Sequence, residues 1–369
     1  MSKQCEEIRR EYQNLKTLRK EFDLEYQKAV KTGNLTRAKE LKAELEQERD
    51  ALWKKLWPFE ALSRRELKEQ YNLQADLCQE RGFFRILSNG QKGIKDEKGN
   101  EYPWPTIYEV IKKLKSNELF REKIETFENP FILITPFALS PEKMKDEYSK
   151  QIEEHFIEER VEGDKRIPNK SRTKLFGVDK EPLPLRTDKE NVHFNDSLLK
   201  KLSYFPEWVK KEGSSVRLKN SLTKEQAVAK IGGWSIAIIE NIPKVPQRGR
   251  GKTIEKEIKV RGKTIKVKRK QVEGGLTTFE QYQLLKQQNE QGLTLEEWFF
   301  LAMLYLKENN IVLDDDEGTA YHCRLLGANT ADGLVPDAHW YHYYRQACLD
   351  SWYPETSSSG YGVRAAVRV

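Results

Sequence analysis

The residues of this 369-residue chain that could do chemistry gather in its last third. His339 and His342 stand three apart, with His322 and Cys323 before them and Cys348 after. Such residue types hold transition metals or pair as a thiol nucleophile and its base. Asp314-Asp315-Asp316-Glu317-Gly318 is a run of hard oxygen donors of the kind that hold calcium. It is no EF-hand, because the twelfth position counted from Asp314 is a leucine where that loop needs glutamate. Arg248-Gly249-Arg250-Gly251-Lys252 is basic and glycine-rich but lacks phosphate-loop spacing, and no hydrolase elbow or paired-carboxylate signature occurs. The reading is therefore a protein that is not an enzyme, with no catalytic residue and no cofactor. Calcium at the acidic run is the one exception kept open.

The histidines sit in an unusual setting. From Leu325 to Val369 there is no lysine, although Lys and Arg together number 65 in the chain. Tyr341, Tyr343, Tyr344, Tyr353 and Tyr361 crowd there instead, with His339, His342 and the run Ser357-Ser358-Ser359. Tyrosine gives a large, rigid contact area at low entropy cost and serine adapts its hydrogen bonds, so recognition surfaces have this composition. Histidines in such a stretch read more simply as contact residues than as ligands. Tyr361-Gly362-Val363-Arg364-Ala365-Ala366-Val367-Arg368-Val369 alternates like a final buried strand.

Four segments carry a resemblance to a known family: Gly233-Trp234-Ser235-Ile236-Ala237-Ile238-Ile239-Glu240-Asn241-Ile242-Pro243, Gly292-Leu293-Thr294-Leu295-Glu296-Glu297-Trp298, Arg345-Gln346-Ala347 and Gly362-Val363-Arg364. Over roughly residues 102 to 369 the chain resembles the variable proteins of diversity-generating retroelements, particularly those of candidate-phylum bacteria. The resemblance implies a C-type lectin fold of the formylglycine-generating-enzyme type. It also implies a C-terminal region, about 335–363, rewritten by adenine-specific reverse transcription. Formylglycine-generating relatives use a closely spaced cysteine pair, which Cys323 and Cys348 do not reproduce.

In that family asparagine codons diversify, and adenine substitution there reaches Tyr, His, Ser, Asp and Cys but never Lys, Glu, Gln, Met or Trp. Asp337, His339, Tyr341, His342, Tyr343, Tyr344, Cys348, Asp350, Ser351, Tyr353, Ser357, Ser358, Ser359 and Tyr361 pass this filter, so the resemblance assigns them to the ligand surface. Trp340, Gln346, Trp352 and Glu355 do not pass. Trp298, Trp340, Arg345, Gln346, Trp352, Gly362 and Arg364 are expected to be scaffold.

The rest of the chain bounds this reading. An apolar content of 37% supports a core, and no apolar run is long enough to span a membrane. Met1-Ser2-Lys3-Gln4-Cys5-Glu6-Glu7 shows no hydrophobic signal region, so a cytoplasmic location is the default, with surface display by a non-Sec route left open. Cys5, Cys78, Cys323 and Cys348 have no framework spacing and read as reduced thiols. The net charge is +7. Its sharpest patch, residues 248–271, reads as a hairpin turning near Arg261-Gly262. Two readings of it stay open: a charged edge protected against aggregation, or a nucleic-acid contact through Arg248, Arg250, Lys266, Lys268, Arg269 and Lys270.

The elements that must position the tail follow from periodicity. Ile8, Leu15, Phe22 and Ala29, with Tyr12, Leu18 and Tyr26 between them, stripe a first helix that Gly33-Asn34 breaks. Leu41, Leu45, Leu52 and Leu56 stripe a second, ending at Trp57-Pro58. The pair predicts an antiparallel hairpin able to pack on itself or on another copy. Ser63 to Arg81 continues helical, closing a helical region over 1–81 before a body over 82–369. In the body, Thr106 and Glu109 predict a capped helix through Leu119. Phe131–Ile134 and Trp234–Ile239 predict buried strands. Ser140-Pro141 opens a helix through Glu158, and 161–190 reads as a flexible polar insertion. Thr294, Glu297, Leu293 and Trp298 predict a capping box with a hydrophobic staple at the start of a scaffold helix.

The sum is an α+β chain: a helical hairpin, then a C-type-lectin-like body that binds an unknown macromolecular partner, in all expectation a protein, through a diversified surface. Two alternatives remain: a nucleic-acid-associated protein acting through the basic hairpin, or an oxidase of the formylglycine-generating type.

Overall fold

A computed structural model describes residues 3–32, 35–57, 59–156, 159–162, 165–168, 175–177, 182–183, 190–194, 202–210, 216–260, 263–316 and 321–369. The chain is a mixture of helices and strands and divides into two compact units, Met1–Arg64 and Arg65–Val369. No helix among the described residues is long and apolar enough to cross a membrane.

The first unit pairs the helices Lys3–Thr32 and Thr36–Leu56 as the apolar stripes require, and the short link between them makes the pair antiparallel. Ala29, Ala38 and Leu41 are buried in it, whereas Leu24, Tyr26, Val30 and Leu35 are exposed. The link residues Gly33-Asn34 and the side chains of Ile8, Tyr12, Leu15, Leu52 and Leu56 lie outside the described ones.

The second unit is built on the helix Leu295–Asn309. Its capping box is present as the sequence dictates: the Glu297 amide donates to the Thr294 hydroxyl and the Thr294 amide to the Glu297 carboxylate at 2.8 Å. Every residue from Leu295 to Leu306 is buried, so this helix is core on all sides rather than on one face. Tyr148 of the helix Pro141–Phe156 meets Trp298 and Phe299 edge-on. A four-stranded antiparallel sheet runs Gln291–Gly292, Ala365–Arg368, Ser235–Glu240, Pro130–Thr135. A five-stranded mixed sheet runs Tyr361–Val363, His322–Arg324, Val335–Tyr341, Gln346–Trp352, Val192–Phe194.

The last nine residues are not one strand. Tyr361–Val363 belongs to the five-stranded sheet and Ala365–Arg368 to the four-stranded one. Arg364 is the crossing point. Its guanidinium is fully buried and donates to the Asp314 carboxylate at 2.8 Å and to the carbonyls of Ile242 at 2.5 Å and Glu240 at 3.3 Å.

Other expectations need correction. The helix Arg64–Glu80 belongs to the body and not to the N-terminal region, because Gln70 and Gln74 are bonded to the strand Pro130–Thr135. Gln70 accepts from the Ile132 amide at 3.0 Å, and Gln74 accepts from Ile134 at 2.7 Å and donates to Ile132 at 2.8 Å. Two glutamines one helical turn apart thus stand in for a neighbouring strand and cover the sheet edge. The helix capped by Thr106 and Glu109 stops at Leu114, and Asn117 caps a second one, Glu118–Thr126. Within 161–190 the described residues form short antiparallel pairs, Glu159–Glu162 with Lys165–Pro168 and Leu175–Phe176 with Pro182–Leu183. The remainder of that segment lies outside the described residues.

The final strand is clamped to the core helix through Glu297. Arg368 donates to this buried carboxylate at 2.9 and 2.5 Å, and Ser235 donates at 2.7 Å. Burial alone would raise the Glu297 pKa, but the Arg368 charge, the Thr294 amide and Ser235 bring it below the ordinary carboxylate value. A depressed folded pKa stabilises the fold above the unfolded value of about 4.3 and loses that contribution as pH falls through the folded one. Arg368→Met is expected to cost about 3–5 kcal/mol near neutrality by leaving Glu297 buried and unpaired. With Glu297 then favouring its neutral form, the variant should lose less stability than the parent on going from about pH 5 to about pH 3, which urea melts at those pH values measure.

Candidate functional site

Alternation along Val335–Tyr341 sends Ala338 and Trp340 to one face of the five-stranded sheet and Asp337, His339 and Tyr341 to the other. Trp340 and Ala338 are fully buried, as a scaffold tryptophan requires. Across the ladder, Asp337 faces Asp350, His339 faces Cys348 and Tyr341 faces Gln346. His193 pairs with Cys348 on the outer strand, and His322 pairs with Tyr361 on the other side. One sheet face therefore carries three of the five histidines of the chain, two aspartates, a cysteine and two tyrosines.

This face has a buried centre and an open rim. His322, Asp337 and His339 are buried, with the two imidazoles 3.8 Å apart between ring centroids and His322 Nδ1 hydrogen-bonded to Asp337. Burial, reinforced by the neighbouring His322, pushes the His339 pKa down to about 3 against the pull of Asp337. Cys348 is buried as well, and burial pushes its pKa up to about 12. Burial thus favours its thiol form over the thiolate. Cys323 pairs with Ala338 and so lies on the core side of the sheet, opposite to Cys348. Asp337, His339 and Cys348 share the face expected of displayed residues but not the exposure, because the codon filter reports which residues are reachable and nothing about depth.

The rim is formed by the turn after Val335–Tyr341 and the segment after Gln346–Trp352. Tyr344 meets Tyr341 and Tyr343 edge-on, with ring centroids 4.8 and 5.1 Å apart, and Tyr343 is 69% exposed. Arg345 holds this turn with a φ of 54° and donates its amide to the Tyr341 carbonyl at 2.7 Å. Tyr353 is 71% exposed, and Trp352, expected as scaffold, is 38% exposed and lies 5.7 Å from Tyr361. Asp350, Ser357 and Ser359 are exposed, Ser351 and Ser358 half-buried, and Tyr361 buried.

The loop bearing the serines is held by its backbone. The amides of Gly275 and Arg248 donate to the carbonyls of Ser358 and Ser359 at 2.6 and 3.1 Å, and Thr278 donates to Pro354 at 3.0 Å. Gly274 has to be glycine, since a Cβ there would sit 2.1 Å from the Ser359 carbonyl. Arg324 reaches the same loop from beneath, donating to Thr356 O, to Leu276 O at 2.9 Å and to Gln281 at 2.9 Å while stacking on Tyr361. Sequence reasoning missed Arg324 and His193, because neither stands in a motif and only the strand pairing brings them to this face.

The acidic run is internal. Asp314 accepts from Arg364, from the Trp298 indole at 3.0 Å and from the Val245 amide at 3.1 Å. Asp315 bonds the His342 ring at 3.0 Å, and Asp316 accepts the His342 amide at 2.9 Å. These carboxylates hold the Tyr-rich turn in place; Glu317 and Gly318 lie outside the described residues.

The basic hairpin pairs Thr253–Val260 with Lys263–Lys270, Ile258 opposite Ile265, and its turn residues Arg261-Gly262 lie outside the described ones. Its cations are largely answered. Lys268 pairs with Glu255 at 2.7 Å, Lys266 with Glu257 at 3.7 Å and Lys270 with Glu273 at 3.3 Å. Arg250 lies against the Tyr321 hydroxyl at 3.4 Å. Arg269, expected as a phosphate contact, is buried between Glu240 at 2.5 Å and Glu290 at 2.7 Å, with Lys123 pairing to Glu290 at 3.0 Å and to Glu122 at 3.2 Å. Arg269→Gln should therefore destabilise the protein by about 3–5 kcal/mol, whereas Lys266→Gln with Lys268→Gln should change it by under about 1 kcal/mol. Equal losses in denaturant melts would show that the hairpin is not anchored through Arg269.

No family model, no curated protein and no solved structure matches this chain, so the chemistry of this sheet face is read from the chain's own residues.

Proposed function

We propose that this chain is a ligand-binding protein and not an enzyme: a diversified receptor of the retroelement type, with a C-type-lectin-like body. The observation that carries this is the exposure of a tyrosine-rich turn and a serine loop beside a buried tryptophan. Among the residues reachable from an asparagine codon, Tyr341 and Asp350 lie on the outer face of one sheet and Tyr343, Tyr344, Tyr353, Ser357 and Ser359 on its flanking turn and loop; Ser351 lies with Trp340 on the opposite face, and the unreachable Gln346 and Trp352 share the outer one. Their backbones are pinned by main-chain hydrogen bonds, so side chains can change without moving the frame. A rim of exposed tyrosines with few long cations desolvates at low cost and suits a protein surface as ligand.

The test is a display library randomised at Tyr341, Tyr343, Tyr344, Asp350 and Tyr353. It should yield variants that bind unrelated soluble proteins, with unfolding free energies within about 1 kcal/mol of the parent. Trp340→Ala, by contrast, should cost on the order of 3 kcal/mol or more through the cavity it leaves. Failure to select binders, or losses at the rim as large as at Trp340, would end this reading. Salt-sensitive binding of duplex DNA that vanishes on neutralising Lys266, Lys268 and Lys270 would favour the nucleic-acid reading instead.

The N-terminal helical pair is assigned to self-association, supported by the exposed Leu24, Tyr26, Val30 and Leu35. Light scattering should give a multiple of the chain mass that falls to one chain when residues 1–64 are removed; a single-chain mass for the full protein counts against it.

A further inference from the structure

The buried centre of the sheet face carries an inference that stands apart from the display reading. His322, Asp337 and His339 come from two adjacent strands, and one donor atom of each lies within 4.8 Å of the other two. All three side chains are buried, yet Asp337 Oδ1 and His339 Nδ1 have no hydrogen-bond partner among the described residues. His339 Nδ1 stands 4.0 Å from Asp337 Oδ2, too far for a hydrogen bond. Two imidazoles packed ring to ring beside a half-satisfied carboxylate form a poor core, since buried polar groups without partners are costly. They form a good ligand set. Two neutral imidazoles and a carboxylate are the donors that borderline divalent ions take, with bonds of about 2.0–2.2 Å. Small side-chain rotations would draw the three donor atoms to that range.

We propose that His322, Asp337 and His339 form a binding site for a borderline divalent transition-metal ion, zinc being the probe of choice. Calcium and magnesium do not fit, because each needs about six or more oxygen donors and the cluster offers one carboxylate. Three protein ligands leave a fourth position of a tetrahedral ion open. Asp350, across the ladder from Asp337 and exposed, marks the side of the face from which a water or a ligand carboxylate would reach it. The site thus lies beneath the tyrosine rim, and the ion would be a fixed positive charge at the centre of that surface.

The experiment uses the full chain, stripped with a chelator and titrated with zinc sulfate against a chromophoric competitor. One ion per chain should bind, and His322→Gln, Asp337→Asn and His339→Gln should each weaken binding by about tenfold or more. His193→Gln and His342→Gln should leave it unchanged. Should the three variants fail to fold, cobalt(II) in the parent protein decides: visible bands of a nitrogen and oxygen environment without a thiolate charge-transfer band support the site. A thiolate band would instead place the ion at Cys348 and overturn the assignment, as would the absence of saturable zinc binding or full retention of it in all three variants. Partner selection by the rim is measured separately, so loss of either property leaves the other standing.

Discussion

The ion pair between Arg364 and Asp314 is the constraint on which the body depends. Both groups are wholly buried, and a lone charge there would be expensive, so each requires the other. Asp314 also receives the indole of the core helix and the amide of Val245, and its backbone exchanges hydrogen bonds with Pro243 and Trp340. Arg364 in turn joins the end of the strand Ser235–Glu240 to the residue at which the chain leaves one sheet for the other. A guanidinium can do this because its donors point in fixed, divergent directions; an ammonium group would satisfy fewer partners in this geometry.

The same logic recurs at smaller scale. Arg368 with Glu297, Arg269 with Glu240 and Glu290, and Arg324 with three partners under the serine loop are buried or half-buried cations, each fixing one strand or loop to the frame. A basic chain thus keeps part of its charge inside, as connectors, and Arg269 of the basic patch is one of them, while the lysines around it stay at the surface. What is left exposed at the C-terminal face is rich in tyrosine, with the carboxylate of Asp350 among it.

What was legible in the letters was local. The boxes Thr106/Glu109 and Thr294/Glu297 were readable because both halves lie within one turn, and the hairpin 253–270 because its alternation and its turn are contiguous. The buried strand at Phe131–Ile134 stood out as an unbroken apolar run. Where partners are distant in sequence, reading failed. Arg269 looks like any cation until Glu240 and Glu290 are brought beside it. The last nine residues look like one strand until Asp314 captures Arg364 in their middle. Asp337, His339 and Cys348 share the period of the displayed residues, and only the folded sheet separates the sunken members of that face from the raised ones.

The place of Ala365–Arg368 in the four-stranded sheet sets the timetable of synthesis. This strand lies between Gln291–Gly292 and Ser235–Glu240, so the strands made earlier wait without their neighbour until residues past 365 have left the ribosome. The N-terminal helical pair, made of local contacts, needs no such delay. Any shift of reading frame or early stop within the Tyr-rich segment removes Arg364 and this strand together. A chain cut short there would lack both the buried partner of Asp314 and an inner strand of the four-stranded sheet, and would be open to proteolysis.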